Sequence, residues 1–311
     1  MKQFLSILFF LTAAATVSLA QQQAMFTQYM FNPLAINPAY AGSLDGWTAT
    51  AIARTQWTSM PGAPQTQTAS IHGPVKYSRA SFGAQIIHDQ ITVSNHYGVY
   101  GFYSYYLPLN KKTKISFGIR GGVSNYRADL TDLEIFYPEM DIVQDPSFAS
   151  DQYGGWLPNV GLGVYIRNNR WYAGFSVPEI IHNTITTSVE SIQGRQERHY
   201  FIHGGYVFDL SPDLKIKPNF LLKGVEGAPV QVDINANLLI KDIVWIGGSY
   251  RWDESFAAIL EIDFNQQFRL GYSYDFTGRN NLGPFNNGSH EFLISYRFIR
   301  DKGVTITPRY F

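Results

Sequence analysis

Residues 268–276 read FRLGYSYDF, and this stretch decides the fold. Aromatic and aliphatic side chains occupy every second position, and Arg, Gly, Ser and Asp occupy the positions between them. Because successive side chains of a β-strand point to opposite faces, the pattern predicts a strand with one apolar face and one polar face. The same alternation recurs in residues 115–124, 256–264 and 289–299.

Runs of this kind continue along most of the chain, and every other connection between them is tight. The tight connections, such as Asn168–Arg170 and Lys241–Asp242, contain turn-forming residues. Asn125–Leu157 and Glu179–Glu197 are long. An outer-membrane barrel has an even number of strands, short periplasmic turns and longer outer loops. We therefore predict an all-β fold, a transmembrane antiparallel β-barrel of about fourteen strands with an ordered N-terminal arm. The predicted strands are 47–57, 65–74, 78–88, 97–107, 113–124, 158–167, 171–178, 198–209, 214–223, 229–240, 243–252, 256–264, 267–276 and 289–299.

Composition supports a membrane barrel and excludes several other classes of protein. The chain has 22 Phe, 20 Tyr and 27 Gly, while charged residues make up 15%, against about a quarter in soluble domains. Past the leader no apolar run is long enough for a transmembrane helix. The absence of Cys excludes disulfides, thiolate metal sites and a lipoprotein anchor. A formal net charge of zero gives no indication of nucleic-acid binding. A soluble β-propeller or sandwich is the alternative, but the propeller repeat is missing and no linker divides the chain into the two domains expected of a sandwich this long.

Four segments follow from these patterns. Residues 1–20 have a positive start, a short apolar core and the small residues of a cleavage site, which predicts a signal peptide. Residues 21–46 form the arm and residues 47–299 the outer-membrane barrel. We expect residues 300–311 to project into the periplasm as a C-terminal tail.

The arm carries the most specific motif of the chain. Residues 21–42 read QQQAMFTQYMFNPLAINPAYAG. Two Asn-Pro pairs, Asn32-Pro33 and Asn37-Pro38, interrupt any regular helix or strand. The segment is therefore expected to be ordered but irregular.

Four short motifs accompany the arm. They are R-x-Q-W at Arg54, Gln56 and Trp57, YSYD at 272–275, GSHEF at 288–292 and PRYF at 308–311. With these motifs and the arm, the chain resembles the PorP/SprF family of outer-membrane proteins over essentially its whole length after the leader. The signature positions of the arm and the first strand are Asn32, Pro33, Asn37, Pro38, Tyr40, Gly42, Arg54, Gln56 and Trp57.

The resemblance implies a non-enzymatic component of the type IX secretion and gliding machinery in the outer membrane of Bacteroidetes. PorP-like members contact periplasmic ring lipoproteins, whereas SprF-like members serve one large secreted adhesin and its C-terminal sorting domain. The sequence leaves both roles open. The implied partners are therefore a type IX cargo protein, lipoproteins of the secretion ring and outer-membrane lipid.

Charges of both signs fall on the polar faces of the predicted strands. Such charges are tolerated away from bulk water when they are paired. We therefore favour a salt-bridged, closed lumen, with a solvated channel wall as the alternative. Besides Arg54, the expected lumen charges are Arg120, Glu261, Asp263, Arg269, Asp275, Glu291 and Arg297.

Catalysis, metal binding and cofactor binding find no support in the sequence. His199 and His203 share a strand face, but no third ligand is evident for a metal. The common hydrolase, metalloprotease and nucleotide motifs are absent. A hydrolase at the barrel rim would have to use loop residues such as Asp145, Asp151 and His182. We therefore expect no enzyme, no metal and no cofactor.

The longest loop is rich in aromatic residues, a composition common at protein-binding surfaces. Packing of the loop onto the barrel rim would explain the same residues. A passive channel for small solutes is the rival function, and it predicts conductance. The candidate partner-binding residues are Phe136, Tyr137, Phe148, Tyr153 and Trp156.

Overall fold

The structure is a computed structural model that describes residues 23–129, 152–186, 193–252, 254–277, 286–299 and 310–311. The predicted signal peptide, residues 1–20, lies outside this part. Strands dominate the described residues, and none of their helical segments has the length and apolar character needed to cross a membrane. The strands are β1 Trp47–Thr55, β2 Gln65–Pro74, β3 Ala80–Ile91, β4 Ser94–Pro108, β5 Lys114–Ala128, β6 Gln152–Arg167, β7 Trp171–Val177, β8 Thr184–Thr186, β9 Gln193–Arg195, β10 His199–Tyr206, β11 Phe208–Ser211, β12 Leu214–Val225, β13 Gln231–Ile240, β14 Val244–Arg251, β15 Ser255–Asp263, β16 Phe268–Thr277 and β17 Ser289–Phe298.

Sequential antiparallel pairing closes the sheet into a barrel. The first strand, β1, pairs with the last, β17, from Trp47 opposite Phe298 to Thr55 opposite His290. On the far side β10 pairs with both β7 and β12. The short strand β11 follows β10 in the chain and pairs with the first residues of β12. Strands β8 and β9 form a separate hairpin. The predicted antiparallel barrel is therefore confirmed, with fourteen wall strands in the described part of the chain.

On the barrel wall, polar side chains point inwards and apolar side chains point outwards, which is the reverse of the arrangement in a soluble protein. Along β17, Glu291 and Arg297 are buried, whereas Phe292 and Phe298 are 58% and 51% exposed. The apolar residues therefore face lipid, and the polar residues face the lumen. This inversion explains why the alternation in residues 268–276 and 289–299 identified strands.

Four strands are longer than the alternation predicted. β3 runs to Ile91, β4 starts at Ser94, and β5 and β6 reach Ala128 and Gln152. The predicted Asn125–Leu157 connection is thus limited to residues 129–151. Beyond the lipid both faces meet polar surroundings, so the strands continue their backbone pairing without apolar alternation.

The N-terminal arm lies inside the barrel and provides its core. Asn32 and Asn37 each precede a single 3₁₀ turn, at Pro33–Ala35 and Pro38–Tyr40. Proline suits this position because the first amide of a turn needs no internal acceptor. All three residues of each turn are buried. Their burial comes from wall strands that are distant in sequence, apart from β1, which follows the arm directly.

The arm runs along the lumen from one end of the barrel to the other. We call the end with connections 75–79, 109–113, 168–170 and 241–243 the turn end, and the opposite end the loop end. The amide of Gln23 lies 3.4 Å from Nε2 of His199, the first residue of β10 at the loop end. Gly46 precedes Trp47 of β1 at the turn end.

The C-terminal residues depart from the expected position. Residues 300–309 lie outside the described part, but Tyr310 and Phe311 contact lumen side chains. The ring centroids of Phe311 and Tyr172 are 4.9 Å apart, and Nζ of Lys217 donates a hydrogen bond of 2.8 Å to the Tyr310 carbonyl. Tyr310 and Phe311 therefore pack against lumen side chains near the turn end.

Orientation in the membrane can be measured with single cysteines, because the natural chain has none. A barrel with short periplasmic turns should expose its loop end to the medium. On intact cells, a membrane-impermeant maleimide should label Ala228→Cys at the loop end and leave Asp242→Cys at the turn end unlabelled. Labelling of both variants after lysis is the control. The reverse result on intact cells would contradict this orientation.

Candidate functional site: the filled lumen and its outer cavity

An ionic network near the loop end holds the start of the arm. Arg54 on β1 pairs with Asp275 on β16 at 2.6 Å and with Glu291 on β17 at 3.1 Å. Glu291 accepts hydrogen bonds from the backbone amides of Thr27 and Gln28 at 2.8 and 2.9 Å. The Thr27 hydroxyl donates to Asp275 and accepts from Arg54, each at 2.8 Å. Wall and arm therefore share one connected set of bonds.

The network has two carboxylates for one guanidinium, and all three side chains are buried. Buried charges are costly unless their remaining hydrogen-bonding capacity is met. The two arm amides supply donors for Glu291, and the Thr27 hydroxyl supplies one for Asp275. If the arm left the lumen, these donors would leave with it, so the network favours one position of the arm.

The middle of the arm is fixed by hydrogen bonds to several wall strands. The Nδ2 atom of Asn37 donates to the Val164 carbonyl at 3.0 Å and lies 3.1 Å from Nε2 of His203. The Ser176 hydroxyl donates to the Ile36 carbonyl at 2.7 Å. An irregular segment has no partner strand, so these side chains satisfy groups that a sheet would pair through backbone.

Glycines in the wall let the arm approach closely. A side chain at Gly118 on β5 would overlap the backbone of Ala39, and one at Gly163 on β6 would overlap the Asn37 side chain. These positions face the lumen, where a larger residue would be the ordinary filler of a barrel. The glycines therefore form a recess shaped for the second 3₁₀ turn.

Cations and aromatic rings meet around the arm near the turn end. The buried Nζ of Lys217 lies 4.0 Å from the ring centre of Phe31 and 4.7 Å from that of Trp245. Arg269 pairs with Asp263 at 2.7 Å and with Glu261 at 3.6 Å. Rings placed in this way stabilise a cation that has lost much of its water.

A cavity of about 330 Å³ remains between the arm and the wall at the loop end. Arg120 pairs with Glu179 at 2.7 Å on its wall, and its guanidinium lies 3.7 Å from the ring centre of Tyr100. Phe26 of the arm and His199 also line the cavity. Apolar and aromatic side chains supply most of its exposed surface, although about half of its lining residues are polar or charged.

The structure brings together most of the residues singled out in the sequence. The signature residues Asn32, Pro33, Asn37, Pro38 and Tyr40 are buried in the lumen. Gln56 and Trp57 instead follow β1 at the loop end, where the Trp57 amide donates to the Ser289 hydroxyl.

Most of the predicted lumen charges form ion pairs. Arg54, Arg120, Glu261, Asp263, Arg269, Asp275 and Glu291 all take part in ion pairs. Arg297 is buried, and its Nε and Nη2 atoms have no hydrogen-bond partner in the described part of the chain.

The sequence patterns did not single out Lys217 or Glu179, and the reasons differ. Lys217 lies on the polar face of β12, so the alternation could have identified it. Glu179 lies in an irregular connection, where no periodicity marks a residue that pairs with the lumen. Of the candidate partner loop, Phe136, Tyr137 and Phe148 and the side chain of Tyr153 lie outside the described residues, while Trp156 on β6 is 72% exposed.

Replacing Gly118 with Ala should weaken the seating of the arm. The added methyl group would overlap the Ala39 backbone, and overpacking of this kind costs about 1–3 kcal/mol. We expect a lower thermal midpoint in detergent and faster proteolysis of the arm. Gly121→Ala on the same strand is the matched control, because nothing lies near a Cβ there. Equal effects of the two changes would show that the arm does not occupy the recess.

Replacing Arg54 with Met should destabilise the barrel strongly. The change leaves Asp275 and Glu291 buried without their cation, a loss that costs about 3–5 kcal/mol. The matched control is Arg170→Met, which removes a pair with Asp209 whose two side chains are both exposed. Exposed pairs contribute about 0–1 kcal/mol. Unfolding in urea, followed by tryptophan fluorescence, measures both; similar losses would contradict the buried network.

Solved outer-membrane barrels are similar in fold. A Pseudomonas aeruginosa FadL homologue is 11% identical, with 88% of this chain and 94% of that chain covered and a TM-score of 0.48. The CymD monoaromatic hydrocarbon channel is 10% identical, with 89% and 94% covered and a TM-score of 0.49. The outer-membrane protein Omp33 of Acinetobacter baumannii is 11% identical, with 83% and 100% covered and a TM-score of 0.43. Similarity at this level carries no argument about function.

No curated protein matches the chain. Residues 18–296 match the family described as type IX secretion system membrane protein PorP/SprF. The match includes the whole arm and all but the last two residues of β17. The chain therefore belongs to the PorP/SprF family of type IX secretion system membrane proteins and is an outer-membrane β-barrel.

Proposed function

We propose that the protein is a non-enzymatic docking component of type IX secretion. It binds a secreted adhesin or its C-terminal sorting domain, periplasmic ring lipoproteins, or both. The observation that carries this proposal is the filled lumen: the arm occupies the space that a channel would need, and buried ion pairs hold it there. Function then falls to the two surfaces of the barrel outside the lipid.

The loop end supports contact with a secreted partner. It has a cavity of about 330 Å³ whose lining combines apolar side chains with the fixed Arg120–Glu179 pair. Trp156 and Trp252 lie exposed towards the same end. Exposed aromatic residues are common at protein-binding sites, where one inserted side chain contributes much of the affinity.

The turn end supports contact with a periplasmic protein. Tyr310 and Phe311 contact lumen side chains there and remain partly exposed, and Tyr77 is exposed in the 75–79 turn at the same end. Lipoproteins of a periplasmic ring would approach the barrel from this side. The family alone leaves the choice between the two partner classes open, and both surfaces are suited to protein contact.

A passive channel is the rival, and it requires the arm to leave the lumen. Departure would remove the two backbone donors of Glu291 and the hydroxyl that Thr27 donates to Asp275. The rim hydrolase considered from the sequence receives no support from the described residues, since His182 lies beside Glu197 and not beside a nucleophile. Asp145 and Asp151 lie outside the described part.

Affinity purification from native membranes should test the docking role. Two strains, one tagged in the 226–230 connection at the loop end and one in the 109–113 turn at the turn end, each leave the opposite proposed surface unaltered. We expect a type IX cargo protein, a ring lipoprotein or both in the eluate. A deletion strain should leave at least one surface protein undelivered or unattached, and the wild-type gene should restore it.

Bilayer conductance provides the control for the rival function. The purified wild-type barrel should conduct little, because the arm fills its lumen. Normal display of every type IX cargo in the deletion strain, together with porin-like wild-type conductance, would replace the docking proposal with the channel.

A further inference from the structure

Two connections at the loop end bring three potential metal ligands together. His182 and Glu197 belong to the connection between β7 and β10, and Glu226 follows β12. One ligand atom from each side chain lies within 4.8 Å of the other two. Nε2 of His182 and Oε2 of Glu197 are 3.8 Å apart. These residues lie outside the ionic networks of the lumen and play no part in the proposed docking role.

Buried hydrogen bonds fix the backbone on which two of the ligands stand. Oδ1 of the buried Asn159 accepts from the amides of Ile180 and Ile181 at 2.9 and 3.0 Å, and its Nδ2 donates to the Ile181 carbonyl at 3.0 Å. Three bonds from one amide thus hold the residues just before His182. An irregular connection rarely has this degree of internal support.

The other ligand segment is tied to the same support. The backbone amide of Gln196 donates to the Asn183 carbonyl, and Nδ2 of Asn183 donates to Oε1 of Gln196, both at 2.9 Å. On the far side of Glu197, Nε of Arg198 donates to the Ile180 carbonyl at 2.6 Å. The positions before and after Glu197 are therefore both bonded to the segment that carries His182, which preorganises the pair.

Burial makes the pair more favourable for a cation than surface residues usually are. The His182 and Glu197 side chains are 21% and 17% exposed, while Glu226 is exposed. A partly desolvated carboxylate interacts more strongly with a nearby cation than one in bulk water. The exposed third ligand leaves a route by which an ion could enter and leave.

We propose that His182, Glu197 and Glu226 form a binding site for a divalent transition-metal ion of the Zn²⁺ class. One imidazole nitrogen and two carboxylates match the ligand types of zinc, whose bonds to nitrogen and oxygen are about 2.0–2.2 Å. A separation of 3.8 Å between His182 and Glu197 closes around such an ion with only small side-chain movements. Ca²⁺ and Mg²⁺ prefer all-oxygen sites with more ligands.

The bound ion would join two loop-end connections that are distant in sequence. Next to Glu197, Nε2 of Gln196 donates to Oε2 of Glu179 at 2.7 Å, and Glu179 pairs with Arg120 in the outer cavity. The ion would therefore brace one side of the cavity mouth. An ordinary His–Glu contact accounts for the first two residues, but it requires no third ligand from the 226–230 connection.

Zinc titration of the purified full-length barrel tests the site. After removal of metals with EDTA, isothermal calorimetry should show one saturable Zn²⁺ site, and Zn²⁺ should raise the thermal midpoint, since a ligand that binds only the folded state stabilises it. Glu226→Gln should weaken Zn²⁺ binding at least tenfold, as even outer-shell changes cost about 10–100-fold in affinity. Because Glu226 is exposed, this variant should fold normally.

Glu254→Gln is the matched control. Glu254 lies in another loop-end connection and is engaged by Arg251 at 3.0 Å, so its removal should leave Zn²⁺ affinity unchanged. Glu226→His should restore binding, because it supplies a different zinc ligand at the same place. The proposal is overturned if the wild type shows no saturable Zn²⁺ binding, if Glu226→Gln binds as the wild type does, or if Ca²⁺ binds more tightly than Zn²⁺.

Discussion

The ion pairs of Arg54 with Asp275 and Glu291 are the interaction on which the rest of the structure depends. Arg54 on β1 lies directly opposite Glu291 on β17 in the register of the first and last strands. The network therefore crosses the seam where the barrel closes. Its second function is to hold the arm, since Glu291 accepts the amides of Thr27 and Gln28. Closure of the wall and filling of the lumen are thus coupled through the same three charges.

This coupling constrains how the barrel can form. Glu291 and Thr27 are 264 residues apart in sequence, so their contact belongs to the late, non-local part of folding. The arm immediately precedes β1, and its contacts with Glu291 form only when β17 is in place. A wall closed without the arm would lose the amide donors of Thr27 and Gln28 and leave the recess at Gly118 empty. The polar lumen and the irregular arm therefore form a single structural unit.

The sequence predicted the wall well because lipid imposes a simple rule. Outward positions within the lipid must be apolar. The alternation in residues 268–276 and 289–299 therefore identifies the two faces of each strand from the local sequence alone. The rule lapses beyond the lipid, and the ends of β4, β5 and β6 were accordingly missed. It is also silent about the arm, whose Asn-Pro turns have no periodicity and whose burial depends on recesses contributed by distant strands. Glu179 shows the same limit, since its partner Arg120 is 59 residues away.

The filled lumen also bears on what kind of component this protein is. The arm contacts side chains at both ends of the barrel, from the Arg54 network to Tyr40 beside His72 near the turn end. A segment that connects two surfaces could transmit a signal only if it had two discrete arrangements. The buried hydrogen bonds of Asn37 and the close fit at Gly118 and Gly163 favour one arrangement strongly. The geometry therefore favours a rigid scaffold over a gate that opens through movement of its arm.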